Sequence, residues 1–308
     1  MSNIVTSGAI YPLLWPGIRK VGLDYKRYKN EFTPFFTHYK STMAQEVCVD
    51  SKNTGYAMLK PEGEQTASDY METTYKYVSV NRQFGLSFAI TDWAIENNLY
   101  PSEFNVKAPG LANSYQQTQE VMAMNVFNQA FNPTVKIGDG KSLAATDHPY
   151  VGGSYANTFV NADGTVATVD FSETAIEQAL IQIGKFKDQA GMLINAKAKY
   201  LLLPTNLEFS GCRLLKSMYR TGTANNDISA IYNLKAISGG YRANNFLTSP
   251  SNYFITTDIP NTLMYYDRMP FKMDMTTDPN TKTVKISCVG AYSFMPFTAN
   301  GVFCAKGA

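Results

Sequence analysis

Gly140, Lys141 and Ser142 form the closing letters of a phosphate-binding loop, in which glycine amides cradle phosphate oxygens and the lysine neutralises them. That loop needs a glycine five residues before Gly140; Val135 stands there, so the triplet reads as a turn. Asn161, Asp163 and Gly164 match part of a calcium loop, but its first ligand position falls on Phe159, which has no oxygen to offer. The segment 152–156, Gly-Gly-Ser-Tyr-Ala, misses the last glycine of a nucleophile elbow. Only two histidines occur, His38 and His148, and nucleophilic triads and zinc sites lean on histidine. His148 lies in a loop between Asp147 and Pro149 with no Cys or Ser motif beside it, and it reads as a structural, hydrogen-bonding residue. Carboxylates are numerous, yet no spacing singles out a pair. The expectation is a protein that is not an enzyme, with no catalytic residue, cofactor or metal ligand assigned.

The bulk composition points the same way. Of 308 residues, 44% are hydrophobic and 13% aromatic, while only 17% are charged. An average soluble chain carries roughly 25% charge. So little charge with so many aromatics excludes intrinsic disorder and suits a surface that faces protein, because interfaces are enriched in Tyr, Phe and Met. Length alone suggests about two domains. The net charge of +2 and the absence of a basic stripe exclude a polyelectrolyte partner for nucleic acid, leaving local, non-specific contact. No apolar run approaches the ~20 residues of a membrane span, and residues 1–6 lack the pattern of a signal peptide. Cys48, Cys212, Cys288 and Cys304 are scattered, which reads as reduced thiols in a cytoplasmic compartment.

The elements follow from hydrophobic period. Residues 1–45 form an arm whose prolines break every helix, yet Trp15, Phe32, Phe35, Phe36 and Tyr39 need a surface to lie on. Residues 46–91 read as one long hairpin: a strand over 47–59, a turn at Lys60, Pro61, Glu62, Gly63 and Glu64, and the alternating strand Phe84, Leu86, Phe88, Ile90. A hairpin that long is marginal in water and needs a second surface. Asp92 is placed to cap a short helix carrying Trp93 and Ile95. Pro109 and Gly110 open the longest helix, 111–131, with Leu111, Tyr115, Thr118, Met122 and Val126 inward, Met124, Phe127 and Phe131 widening that apolar face, and Gln116, Gln117, Gln119, Glu120 and Asn125 outward. A loop-rich stretch follows. Ser172 caps a helix that carries Lys185 and Lys187 in its last turn and closes at Gly191. Residues 200–203 form a buried strand, and Thr205 with Glu208 form a capping box on a helix lined by Cys212, Leu215 and Met218. The polar loop 220–227 precedes a return to strands, including a hairpin about Asp278, Pro279 and Asn280. Helices and strands mix without strict alternation, so the class is α+β.

Several phrases in this order resemble the major capsid (major head) proteins of tailed bacteriophages, with the Hong Kong phage fold shared by encapsulin shells. They are 85–92 (GLSFAITD), 145–149 (ATDHP) with Gly152, Gly153 and Asn157, 171–175 (FSETA), 185–188 (KFKD) with Gly191, 201–204 (LLLP) with Leu207 and Glu208, 221–227 (TGTANND), and Tyr266, Asp267 and Arg268 before the last strand ending at Lys306 and Gly307. The likeness covers roughly residues 46–307. It implies an N-terminal arm (1–45), an extended hairpin loop (46–91), a peripheral domain with a long spine helix (92–132 and 269–298) and an axial domain (133–268 and 299–308).

The function implied is structural: self-assembly, as pentamers and hexamers, into the icosahedral head shell around the double-stranded DNA genome of a tailed phage. The subunit would be assembled in the host cytoplasm and reside in the virion, with no membrane partner. Near-neutral charge suits a wall past which DNA must slide. Expected partners are further copies of the chain, a portal protein, a decoration protein and a scaffolding protein, the last a separate one because the sequence reaches the arm directly from Met1. The residues placed at assembly contacts are Lys60, Glu62 and Glu64 at the hairpin tip, and Arg220, Thr223, Asn225 and Asp227 on a loop aimed at the five- or six-fold axis. The alternatives are an encapsulin-type compartment, which keeps the fold and changes the content, and a β-rich fibre or adhesin module.

Overall fold

The computed structural model describes residues 30–91, 93, 97, 100–219 and 228–307. Most of the arm, with Asp92, Ile95 and the polar loop 220–227, therefore lies outside the described residues.

Residues 30–36 turn over the core and place Phe32, Phe35 and Phe36 in it, edge-on to Tyr265, Phe127 and Phe294. These arm aromatics lie on their own subunit. Strand β1 (Thr37–Lys40) follows. Strands β2 (Gln45–Lys52) and β3 (Glu72–Val80) pair antiparallel as a two-stranded ribbon. Strand β4 (Arg82–Thr91) leaves that ribbon and pairs with a strand far along the chain. The reading of 46–91 as one hairpin is corrected on this point. Alternation identified the 84–90 strand, but alternation cannot name its partner. The expected strand 47–59 also ends early, at Lys52.

Helix α1 (Tyr100–Asn128) begins before the expected 111 and runs straight through Pro109 and Gly110. Its buried residues include Leu111, Tyr115, Met124 and Phe127, as expected, together with Gln119, Glu120 and Ala123. Gln119 and Glu120, assigned outward because they are polar, are buried. Gln119 donates to the Tyr265 hydroxyl at 3.2 Å, and Glu120 accepts the Glu31 amide at 2.6 Å. The outward face keeps Gln117, Val121 and Asn125, with no charge between 111 and 128 apart from the buried Glu120.

A loop-rich region carries the short hairpin β5 (His148–Tyr150) and β6 (Gly153–Tyr155). Helix α2 (Glu173–Ile183) starts as expected, with Ser172 Oγ accepting the Ala175 amide. It stops at Gly184, so Lys185 and Lys187 lie beyond it; Gly191, with φ of 81°, belongs to the following turn, where Asp188 accepts the Ala190 and Met192 amides. Strand β7 (Ala198–Pro204) leads through a single 3₁₀ turn into α3 (Glu208–Lys216). The expected Thr205–Glu208 capping box is absent: the 3₁₀ turn over Thr205–Leu207 displaces the cap position and no side chain caps α3. Met218 is exposed beyond the helix end.

Strands β8 (Tyr241–Asn244), β9 (Tyr253–Thr257), β10 (Leu263–Asp278), β11 (Thr283–Pro296) and β12 (Val302–Ala305) complete the chain. Asp278 accepts the Asn280 amide in the turn between β10 and β11, as an aspartate ahead of Pro-Asn is suited to do. Two sheets result, ordered β1-β10-β11-β4 and β12-β9-β7-β8. The second is buried on both faces, and its residues alternate between two cores. Leu202, Phe254, Val302 and Cys304 join the core under α1. Leu201, Leu203, Ile255 and Phe303 join the core under α2. A period of two delivers this division, since successive strand side chains point to opposite faces.

Candidate functional site

Among the described residues, no cluster of three or more acidic, His or Cys side chains is arranged to hold a metal ion. Among the described residues, the polar side chains singled out by motif are spent on structure. His148 is fully buried, its Nδ1 at 2.6 Å from Asp139 Oδ2 and its Nε2 at 3.1 Å from Asn157 Oδ1. Asn157 is locked by donating to the carbonyls of Leu143 and Val302 and accepting the Ala145 amide. This network holds the 137–157 loops against the C-terminal strand and offers no exposed atom to a substrate. The Gly140 triplet is a turn, closed by Ile137 accepting the Gly140 amide and Lys141 accepting the Ile137 amide. Residues 161–165 are likewise a turn, in which Asp163 accepts from the Thr165 amide and hydroxyl; these bonds hold the Asp163 carboxyl below its ordinary range.

What the molecule does present is an apolar ribbon. The inner face of β2–β3 rests on the β10–β11 sheet: Cys48 and Tyr77 pack against Met264, Tyr266 and Met295. Tyr75 is wedged against Gly138, where a β-carbon would stand 2.7 Å from its ring. Gln189 reaches its hydroxyl at 3.5 Å. Burial, with Asp50 next, pushes the Tyr75 phenol well above its ordinary range. The outer face carries Val47, Val49, Val78 and Val80, with Val47 directly opposite Val78. An antiparallel ribbon in water normally turns polar residues outward; here Val47 is 51% and Val80 56% exposed.

The connection over residues 53–71 extends the anomaly. It is longer than the ~12–15 residues at which structureless loops become uncommon in compact domains. Its base is tied by Asp69, which accepts the Gly55 and Tyr70 amides at 2.8 Å and meets Lys52 at 3.4 Å. Those amides, then Lys52, hold the Asp69 carboxyl below its usual range. Beyond the base, Met58 is 78% and Leu59 95% exposed, with Tyr56, Tyr70 and Met71 also in the open. Lys60, Glu62 and Glu64 stand exposed in a turn in which Gly63 takes φ of 82° and Pro61 accepts the Glu64 amide. The structure thus brings these three together. Arg220, Thr223, Asn225 and Asp227 lie outside the described residues. Sequence reading went to the charged tip; it missed the outward valines and Met58 and Leu59. Their signal was legible as an apolar run, Tyr56 to Leu59, beside a turn.

Two sheets sharing a core with one long helix, plus a projecting ribbon, define the Hong Kong phage capsid fold. Solved structures agree. The virus-like particle from Pyrococcus furiosus matches with a TM-score of 0.57 at 9% identity, over 94% of this chain and 98% of that one. The mature capsid of bacteriophage PhiM1 matches at 0.55 and 11% identity, over 91% and 87% of the two chains. The capsid of an empty GTA particle matches at 0.55 and 10% identity, over 91% and 90%. No curated protein matches the sequence. The model of the phage capsid protein family matches residues 76–303. The chain belongs to that family and is a major capsid protein, a structural subunit of the virion.

Proposed function

We propose that copies of this chain assemble as pentamers and hexamers into a closed icosahedral head that encloses the double-stranded DNA of a tailed phage, with the β2–β3 ribbon and loop 53–71 laid on a neighbouring subunit. The observation that carries this reading is the outward apolar face of the ribbon. Among the described residues, Val47, Val49, Val78, Val80, Met58 and Leu59 stand exposed on the ribbon and its loop. Apolar area left in water costs roughly 25 cal/mol per Å² relative to burial. A second copy removes that cost, and closed symmetry repeats the contact around the shell. Individually weak contacts suffice once many are linked.

In this reading, residues 1–45 are the arm, 46–91 the extended loop, 92–132 and 269–298 the peripheral domain, and 133–268 with 299–308 the axial domain. The loop carrying Arg220, Thr223, Asn225 and Asp227 meets its copies at the five- or six-fold axis. Assembly takes place in the host cytoplasm with separate scaffolding, portal and decoration proteins, and DNA is contacted without sequence preference. The test is electron microscopy of the purified chain and of a variant with residues 53–68 replaced by a short Gly-Ser turn. Shells from the parent and soluble, folded, unassembled subunits from the variant support the proposal. Normal shells from the variant overturn the role of the loop.

A further inference from the structure

The buried Glu120 belongs to neither the ribbon nor the loop of the assembly face. It lies midway along α1, is 5% exposed, and its Oε1 accepts the Glu31 backbone N–H at 2.6 Å. The Phe32 amide and the Asn244 side chain lie near the same carboxyl. Its Oε2 is buried with no hydrogen bond among the described residues. The Glu31 side chain accepts from Asn244 Nδ2 at 3.1 Å, so two carboxyl groups are gathered round one amide. The contact immediately precedes Phe32, Phe35 and Phe36, the aromatics that seat the first described segment in the core. We propose that Glu120 is a proton-dependent clasp: it holds residues 30–36 on the long helix while it carries a proton and loosens them when it ionises.

The surroundings favour this. Glu31 is the charged group beside Glu120, and it has the same sign. From α1 between 111 and 128 no other charge is available, and from β8 Asn244 is neutral. Across β10 stands the Tyr265 phenol, with His38 and Asp267 lining the cleft beyond Gln119. On the outer side Glu31 borders a cleft of about 1200 Å³ that also holds Glu208, Lys216, Lys235 and Arg242. None of these basic groups forms an ion pair with Glu120 among the described residues. Among the described residues, then, an ionised Glu120 is a buried charge with no cation paired to it, which is costly. Burial first, and the Glu31 charge in addition, push its carboxyl up to about 7, partly offset by the Glu31 amide.

The direction follows. A released Glu120 titrates near ~4.3, so between there and about 7 the seated state binds more protons than the released one. Seating is complete below that window and weakens as pH rises through it. This differs from a purely structural contact, whose strength would not track pH.

The experiment is amide hydrogen exchange of the peptide spanning 30–40 in the full chain between pH 5 and 8, corrected for intrinsic exchange. The expected parent result is protection falling at least about tenfold from pH 5 to 7. Glu120→Gln, which keeps an acceptor for the Glu31 amide and cannot ionise, should give a flat profile. Parallel profiles for parent and variant overturn the proposal. Should Glu120→Gln fail to fold, carbon NMR titration of labelled glutamates in the parent decides: no carboxyl titrating above ~6 overturns it, and one that titrates there and shifts down in Glu31→Gln supports it.

Discussion

His148 Nδ1 and Asp139 Oδ2 meet at 2.6 Å in the interior, and the other ring nitrogen faces the Asn157 side-chain oxygen. The orientation of Asn157 is fixed by the carbonyls around its nitrogen, so Nε2 must donate. Removing one partner of such a pair strands the other in the core. We expect His148→Ala to lose ~3–5 kcal/mol of stability, read by chemical denaturation of the subunit. A loss below 1 kcal/mol would show that the network is not a staple.

The ribbon's seat turns on one glycine. A β-carbon at Gly138 collides with the Tyr75 ring, which is itself held by Phe297 and Gln189. Gly138→Ala should lift the ribbon from the β10–β11 sheet without unfolding either core. Exchange protection of residues 72–80 should drop, while that of β7 and β9 stays unchanged. Equal protection of the ribbon in parent and variant contradicts this seat.

Outward valines should matter to assembly and not to folding. Val47→Lys with Val78→Lys adds charge at two exposed, directly opposed positions of the ribbon. Exposed substitutions usually change stability within about ±0.5 kcal/mol. The expected outcome is an unchanged denaturation midpoint together with loss of shells in sedimentation. Full assembly of the double variant would remove the ribbon face from the contact.

The base of loop 53–71 should open in acid. Asp69 is held below its ordinary carboxyl range by the Gly55 and Tyr70 amides and by Lys52. A depressed carboxyl contributes stability that is present above its unfolded value, near 3.8, and lost as pH falls through the folded one. Proteolysis with an acid-active protease should cut residues 53–71 faster as pH drops below ~4, whereas Asp69→Asn should be cut readily at every pH. An Asp69→Asn loop as resistant as the parent would count against the tie.

Helix and sheet meet at a second tight glycine. A β-carbon on Gly290 of β11 would fall 1.8 Å from the Tyr115 hydroxyl of α1. Gly290→Val should therefore cost ~1–3 kcal/mol by overpacking, with Tyr115→Phe restoring part of it. Thermal melts of the two single variants and the double variant check the coupling.

Local sequence signals determined a good deal here: the α+β mixture, the Ser172 cap, the β10–β11 hairpin about Asp278, the alternation of 84–90, and the turns at 138–142 and 161–165. Each depends on residues a few positions apart, whose dihedral preferences and periodicity act before any long-range contact forms. The apolar excess and scarce charge also announced a surface for protein partners. Tertiary structure alone decided the rest. Strand 82–91 took β11 as its partner because alternation specifies a face and leaves the neighbour open. The inner stripe of α1 includes Gln119 and Glu120 because the Tyr265 hydroxyl and the Glu31 amide, distant in sequence, give Gln119 and one oxygen of Glu120 a hydrogen bond. Burial of a polar side chain is set by the partner it finds across the fold, and nothing in the spacing of residues along one helix carries that information.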